Sequence, residues 1–213
     1  MPAPAIKLCG LNDAASLEAA IAARADYAGF NFFPPSPRYL NLAAASALGA
    51  QAAGRISRVG VFVNASGDAI AAAAAAANLD AIQLHGGESP ADAARLRGAL
   101  NLPVWKVLSV ASPADIARAD AYAGAADFIL FDAKTPKGTL PGGMGLRFDW
   151  SLLAGYRGTL PWGLAGGLTA DNVAEAARST RAPLVDTASG IESAPGIKDP
   201  ALIAAFCAAA RGA

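Results

Sequence analysis

Two ionisable side chains end short apolar runs. Cys9 closes Ile6-Lys7-Leu8-Cys9 just before Gly10, and Asp132 closes Phe128-Ile129-Leu130-Phe131-Asp132. Runs of this length and composition read as buried strands. A thiol can serve as a general base once a nearby positive charge lowers its pKa. A partly desolvated carboxyl has a raised pKa and can donate a proton near neutrality. Cys9 and Asp132 are therefore a candidate base and acid. Each also has a plainer reading. Free cysteine usually packs as a small apolar group, and Asp132 could cap a helix or pair with Lys134.

Other residues suit substrate binding. Arg38 follows Ser36-Pro37 in a stiff loop, and a guanidinium fork matches a carboxylate; a surface arginine is the plainer reading. His85 is the single histidine and sits at a strand end, where a structural role competes with a catalytic one. Gly166-Gly167 and Ser189-Gly190 bring bare backbone N–H groups together, as phosphate requires. Gly143, within Gly142-Gly143-Met144-Gly145, is a further donor or part of a lid. One glycine pair alone is an ordinary turn; two pairs at the ends of consecutive strands point to a phosphate cradle.

These residues need a frame, and the chain alternates β-like runs with alanine-rich helical segments. Strands are expected at 6–9, 27–32, 58–63, 81–85, 104–110, 127–132, 162–165 and 183–186. Helix starts are expected at Asn12 or Asp13, near Asn41, at Ser89-Pro90, at Ser112-Pro113 and at Asp199-Pro200, with caps at Asp149 and Thr169. Eight β–α units imply parallel pairing with right-handed crossovers. In 213 residues this fits a single-domain (β/α)8 TIM barrel spanning 1–213, near the lower limit of size. An open doubly wound sheet is the competing architecture, but Cys9-Gly10-Leu11-Asn12 is not the nucleotide loop expected after its first strand. In a barrel, the loops after strands seven and eight commonly hold phosphate. Lys7 points to the same face as Cys9, one layer beneath it. A buried lysine needs a partner. Asp186 is the candidate, because closure makes strands eight and one neighbours.

Composition excludes several classes. Seventeen basic residues balance seventeen acidic ones, so no electrostatic footprint calls for nucleic acid or an anionic membrane. The alanine tract at 71–77 is too short to span a bilayer and reads as a soluble helix. Cys9 and Cys207 show no metal spacing, and Cys207 lies in an apolar final helix as core. The N-terminus lacks a signal peptide's layout. Free thiols in a reducing cytoplasm follow as the expectation, with a monomer as the default.

The ordered set Ile6-Lys7-Leu8-Cys9-Gly10, Ser36-Pro37-Arg38, Val59-Gly60-Val61-Phe62-Val63-Asn64, Gln83-Leu84-His85-Gly86, Asp132, Gly142-Gly143-Met144-Gly145, Phe148-Asp149-Trp150, Ala165-Gly166-Gly167-Leu168, and the stretch 186–199 resembles the phosphoribosylanthranilate isomerases of tryptophan biosynthesis. The resemblance runs from about residue 6 to 206. It implies an Amadori rearrangement of N-(5-phosphoribosyl)anthranilate, with Asp132 as general acid, Cys9 as general base and Arg38 holding the anthranilate carboxylate. It also implies that the glycine pairs hold phosphate and that no metal or organic cofactor is needed. Met144 and Ala188 depart from the family pattern, in the glycine loop and after strand eight. Three rivals remain. The related isomerase of histidine biosynthesis resembles a two-aspartate design, against which Cys9 argues. An indole-ring synthase calls for a catalytic lysine, for which Lys106 is the obvious candidate. A non-catalytic phosphate-binding barrel needs neither Cys9 nor Asp132.

Overall fold

The computed structural model describes residues 3–134 and 145–213. Gly143 and its neighbours in the glycine loop lie outside the described residues. Eight parallel strands close into a barrel in sequence order. They are β1 (Ala5–Cys9), β2 (Tyr27–Asn31), β3 (Ser57–Phe62), β4 (Ala81–Leu84), β5 (Val104–Val110), β6 (Phe128–Ala133), β7 (Trp162–Leu164) and β8 (Leu184–Thr187). Around them lie α1 (Ala14–Ala22), α2 (Leu42–Ala52), α3 (Gly67–Ala77), α4 (Pro90–Leu100), α5 (Pro113–Ala117), α6 (Val173–Thr180) and α7 (Pro200–Arg211).

Side-chain alternation along each strand builds two apolar layers. Val59, Ala81, Trp105, Val107, Leu130 and Leu184 fill the lumen. Ile6, Leu8, Ile82, Leu84, Ile129, Phe131 and Val185 face the helices. Lys7 and Cys9 have the lumen parity of β1; Asp132 has that of β6, and Asp186 that of β8. The strands thus carry an apolar floor and deliver polar groups to its upper end.

The helix starts follow local chemistry. Asp13 accepts from Ser16 N at 2.8 Å to cap α1. Ser89 and Asp92 form a reciprocal capping box before Pro90, and Asp199 accepts from Ala201 N at 2.7 Å ahead of Pro200. The alanine tract forms α3, which buries Ile70, Ala73, Ala74 and Ala77. No helix among the described residues is long and apolar enough to cross a membrane.

One local expectation changes, the Asp149 cap holds, and one element is new. Thr169 does not cap the seventh-unit helix. α6 begins at Val173, because the Asn172 side chain accepts from Thr169 N at 2.9 Å and draws the intervening residues into turns. The segment after Asp149 is one 3-10 turn (Trp150–Leu153), with Asp149 accepting from Ser151 N at 2.9 Å. Between β8 and α7 there is also an unforeseen antiparallel hairpin, β9 (Glu192–Ala194) and β10 (Ile197–Lys198). Pro195-Gly196 forms its turn, with Gly196 at φ +81°.

Candidate active site

β1 and β8 pair directly, with Lys7 opposite Asp186. Lys7 Nζ donates to Asp186 Oδ1 at 3.0 Å, in the contact expected from barrel closure. Burial works against the Lys7 ammonium, but the Asp186 carboxylate and the Cys9 sulfur outweigh it and raise its pKa. Burial pushes the Asp186 carboxyl up as well, with Lys7 opposing. We assign the couple as an ion pair, since a 3.0 Å charge-assisted bond repays desolvation only in that form.

Cys9 sits directly above this pair and lines a cleft at the C-terminal ends of the strands, together with Arg38, His85, Asp132 and Asp186. The cleft opens to solvent at its mouth. The expectation of a lowered thiol pKa is corrected. Burial pushes the Cys9 thiol up, and the Lys7 and Lys198 ammonium groups oppose this without overcoming it. Desolvation wins because Cys9 is only 9% exposed, and a thiolate there has lost its water.

Across the cleft, Asp132 Oδ1 accepts from Ala133 N at 2.8 Å. Its Oδ2 lies 3.2 Å from His85 Nε2. His85 follows β4 directly, its amide donating to Phe62 O at 2.8 Å. The acid candidate is therefore held from two sides.

Arg38 is delivered by the loop after β2. Asn31 Oδ1 accepts from Phe33 N at 2.8 Å, and Ser36 Oγ accepts from Arg38 N at 3.1 Å. Gly10, at φ +76°, leaves room for the arginine stem, because a Cβ there would collide with Arg38 Cδ. The guanidinium makes a two-point contact with Glu192, Nε to Oε1 and Nη2 to Oε2, each 2.7 Å. The sequence reading missed Glu192 and its second partner, Lys198. The one signal present was the Pro195-Gly196 turn between two polar ends, which marks a hairpin.

Gly166 and Gly167, at φ +91° and +63°, face Thr187, Ala188 and Ser189 across the same cleft. A side chain at Gly166 would strike Ala133 N beside the acid candidate. Gly190 differs. It is not among the lining residues, and it packs against the Leu168 carbonyl, to which Thr187 Oγ1 donates at 2.7 Å. Lys106 does not enter the cleft. Its Nζ donates to Gly86 O and to Glu88 Oε2, both at 2.7 Å, on the helix side of β5. The indole-synthase reading thereby loses its lysine. Among the described residues, no group of three or more His, Cys, Asp or Glu side chains could hold a metal ion.

The model of a family described as "N-(5'phosphoribosyl)anthranilate (PRA) isomerase" matches residues 6–209. The chain belongs to this family. It is 51% identical over 209 residues to the N-(5'-phosphoribosyl)anthranilate isomerase of Paracoccus denitrificans, covering 98% of this chain and 97% of that one. Among solved structures, phosphoribosyl anthranilate isomerase from Thermotoga maritima superposes with a TM-score of 0.88 at 35% identity, covering 99% and 100% of the two chains. A phosphoribosyl anthranilate isomerase in complex with reduced 1-(o-carboxyphenylamino)-1-deoxyribulose 5-phosphate superposes at 0.85, with 32% identity over 99% and 100%. Placement of the matched region across all eight strands makes the isomerase family a statement about the whole barrel.

Proposed function

We propose that this member of the isomerase family converts N-(5'-phosphoribosyl)anthranilate to 1-(2-carboxyphenylamino)-1-deoxyribulose 5-phosphate for tryptophan synthesis, with Cys9 as general base and Asp132 as general acid. The observation that carries the reading is that a thiol from β1 and a carboxyl from β6 line one cleft. The substrate phosphate sits between Gly166-Gly167 and the 187–189 turn, and the anthranilate carboxylate approaches Arg38. Asp132 gives its proton to the ribose ring oxygen while the anthranilate nitrogen expels that oxygen from C1. The products of this step are an open-chain alcohol and an iminium. The Cys9 thiolate, the minority form that the Lys7 and Lys198 ammonium groups favour against burial, then takes the C2 proton, and the C2–H electrons form an enolamine with the iminium carbon. Protonation at C1 and loss of the C2 hydroxyl proton give the aminoketone. The iminium is the electron sink, so the chemistry asks only for proton transfers. His85 keeps Asp132 oriented towards the ring oxygen, and Lys7–Asp186 forms a rigid base beneath Cys9.

The test is turnover of the two single variants. Cys9→Ala and Asp132→Ala should each lower kcat at least about a hundredfold, the scale of a lost acid or base, while product-analogue affinity changes far less. Near-normal turnover in either variant removes that residue's role. Turnover by the native chain of the histidine-pathway aminoaldose alone would overturn the substrate assignment.

A further inference from the structure

Glu192 and Lys198 come from a hairpin outside the barrel, yet they reach the cleft's charged wall. Glu192 Oε1 accepts from both Arg38 Nε at 2.7 Å and Lys198 Nζ at 2.8 Å, and Oε2 accepts from Arg38 Nη2. Lys198 Nζ also donates to Ala188 O at 2.8 Å, in the turn after β8. The Glu192 and Lys198 side chains are 4% and 0% exposed. The hairpin tip is tied down in turn, since Asn12 Nδ2 donates to Gly196 O at 3.1 Å. Burying three charges is costly, and well-packed apolar side chains commonly stabilise as well or better. A stability role alone therefore does not account for them.

Beside Cys9, Lys7 comes from β1 and Asp186 from β8; farther along the same wall are Lys198 of β10, bonded to the lining residue Ala188, and Arg38 of the loop after β2. Glu192 bridges the last two, while Asp132 and His85 stand across the cleft. Among the described residues on the Cys9 side, three cations (Lys7, Arg38, Lys198) face two carboxylates (Asp186, Glu192), leaving one positive charge in excess. A thiolate at Cys9 makes that side neutral. We propose that Glu192 and Lys198 are positioning residues of the isomerase site: Glu192 fixes the plane of the Arg38 guanidinium, and Lys198 supplies the charge that balances ionised Cys9. This deepens the proposed function and rests on it. Burial lowers the Lys198 pKa while Glu192 and the Cys9 sulfur oppose the loss of its proton, consistent with a cation placed for its neighbours.

The experiment uses the full chain and measures Cys9 ionisation separately from turnover. Iodoacetamide labelling is followed against pH and read at the Cys9 peptide by mass spectrometry, with kcat and KM measured in parallel. Lys198→Met should move the Cys9 labelling midpoint up by about one pH unit, a tenfold slower reaction at fixed pH. Its kcat should fall about tenfold and recover partly as pH rises. Lys198→Arg should restore the midpoint. Glu192→Gln removes a negative charge and should move the midpoint down, while raising KM about tenfold or more with a smaller change in kcat. Opposite displacements in the two variants are the signature, because loosened packing alone would shift both the same way. Unchanged midpoints, or shifts of one sign, overturn the proposal. If Lys198→Met fails to fold, Glu192→Gln and Lys198→Arg decide it by the same readouts. Normal turnover in Cys9→Ala with the opposite shifts intact would instead defeat the base assignment and leave this charge balance standing.

Discussion

Lys7 and Lys106 are both buried lysines with carboxylate partners, and they sit on opposite sides of the sheet. Lys7 is 0% exposed in the lumen, 3.0 Å from Asp186 and beneath Cys9. Lys106 is 1% exposed on the helix side, 2.7 Å from Glu88. Lys7 has its pKa raised, because Asp186 and Cys9 outweigh burial. Lys106 has its pKa lowered, because burial outweighs Glu88. Strand parity makes the difference. One residue's displacement along a strand sends a charge either to the lumen or to the helix layer. Glu88 shows what the scaffold side does. Its Oε1 accepts from Asn64 N at 2.7 Å and its Oε2 from Gly86 N at 2.9 Å, so the pair pins the loops after β3 and β4.

The largest test of that contrast is Lys7→Met. It leaves Asp186 buried without its cation, a loss on the scale of about 3–5 kcal/mol, and removes a charge beside Cys9. Both the urea midpoint and kcat should fall. Full turnover in a destabilised variant would show that Lys7 is scaffold too. Lys106→Met should cost about the same in stability but leave the Cys9 labelling profile unmoved. A shifted profile would erase the distinction between the two lysines. Glu88→Leu added to Lys106→Met should recover only the part of the loss that comes from the unpaired carboxylate, because the Asn64 and Gly86 amides then lose their acceptor.

Acid sharpens the comparison further. Burial would raise the Glu88 carboxyl, but Lys106 and the Asn64 amide hold it below its ordinary value. The folded pKa is thus depressed relative to the unfolded chain. Its contribution is present in full above the ordinary carboxylate range and is lost as pH falls through the folded value. Urea melts of the native chain and Glu88→Gln should therefore converge as pH drops below about 4. A gap that persists at low pH would assign the effect to packing. The smallest effect belongs to α4. Ser89→Ala removes a cap that accepts from Asp92 N at 3.2 Å; it should cost about 1 kcal/mol with kcat unchanged.

Much of this was legible from residues. The barrel followed from eight apolar runs alternating with helical segments, because periodicity records which face of each element is buried. The Lys7–Asp186 contact followed from parity on β1 plus closure. Thr169 was misread because a lone hydroxyl before a helix does not say that Asn172, three residues on, competes for the same turn. Glu192 and Lys198 were passed over because their hairpin strands, of three and two residues, are too short for periodicity to mark a residue as buried.

Local pattern by itself determined the strands, and that a thiol, a carboxyl and two glycine turns belong at strand ends, since each depends on neighbours within a few residues. Only the tertiary structure decided that Cys9 is desolvated and that Arg38 is gripped by Glu192, 154 residues away. It also decided that Lys198 reaches Glu192 and the Ala188 carbonyl in the turn after β8. Desolvation and Coulomb interaction depend on distance in space, and closure of the barrel, with the hairpin folded over it, set those distances.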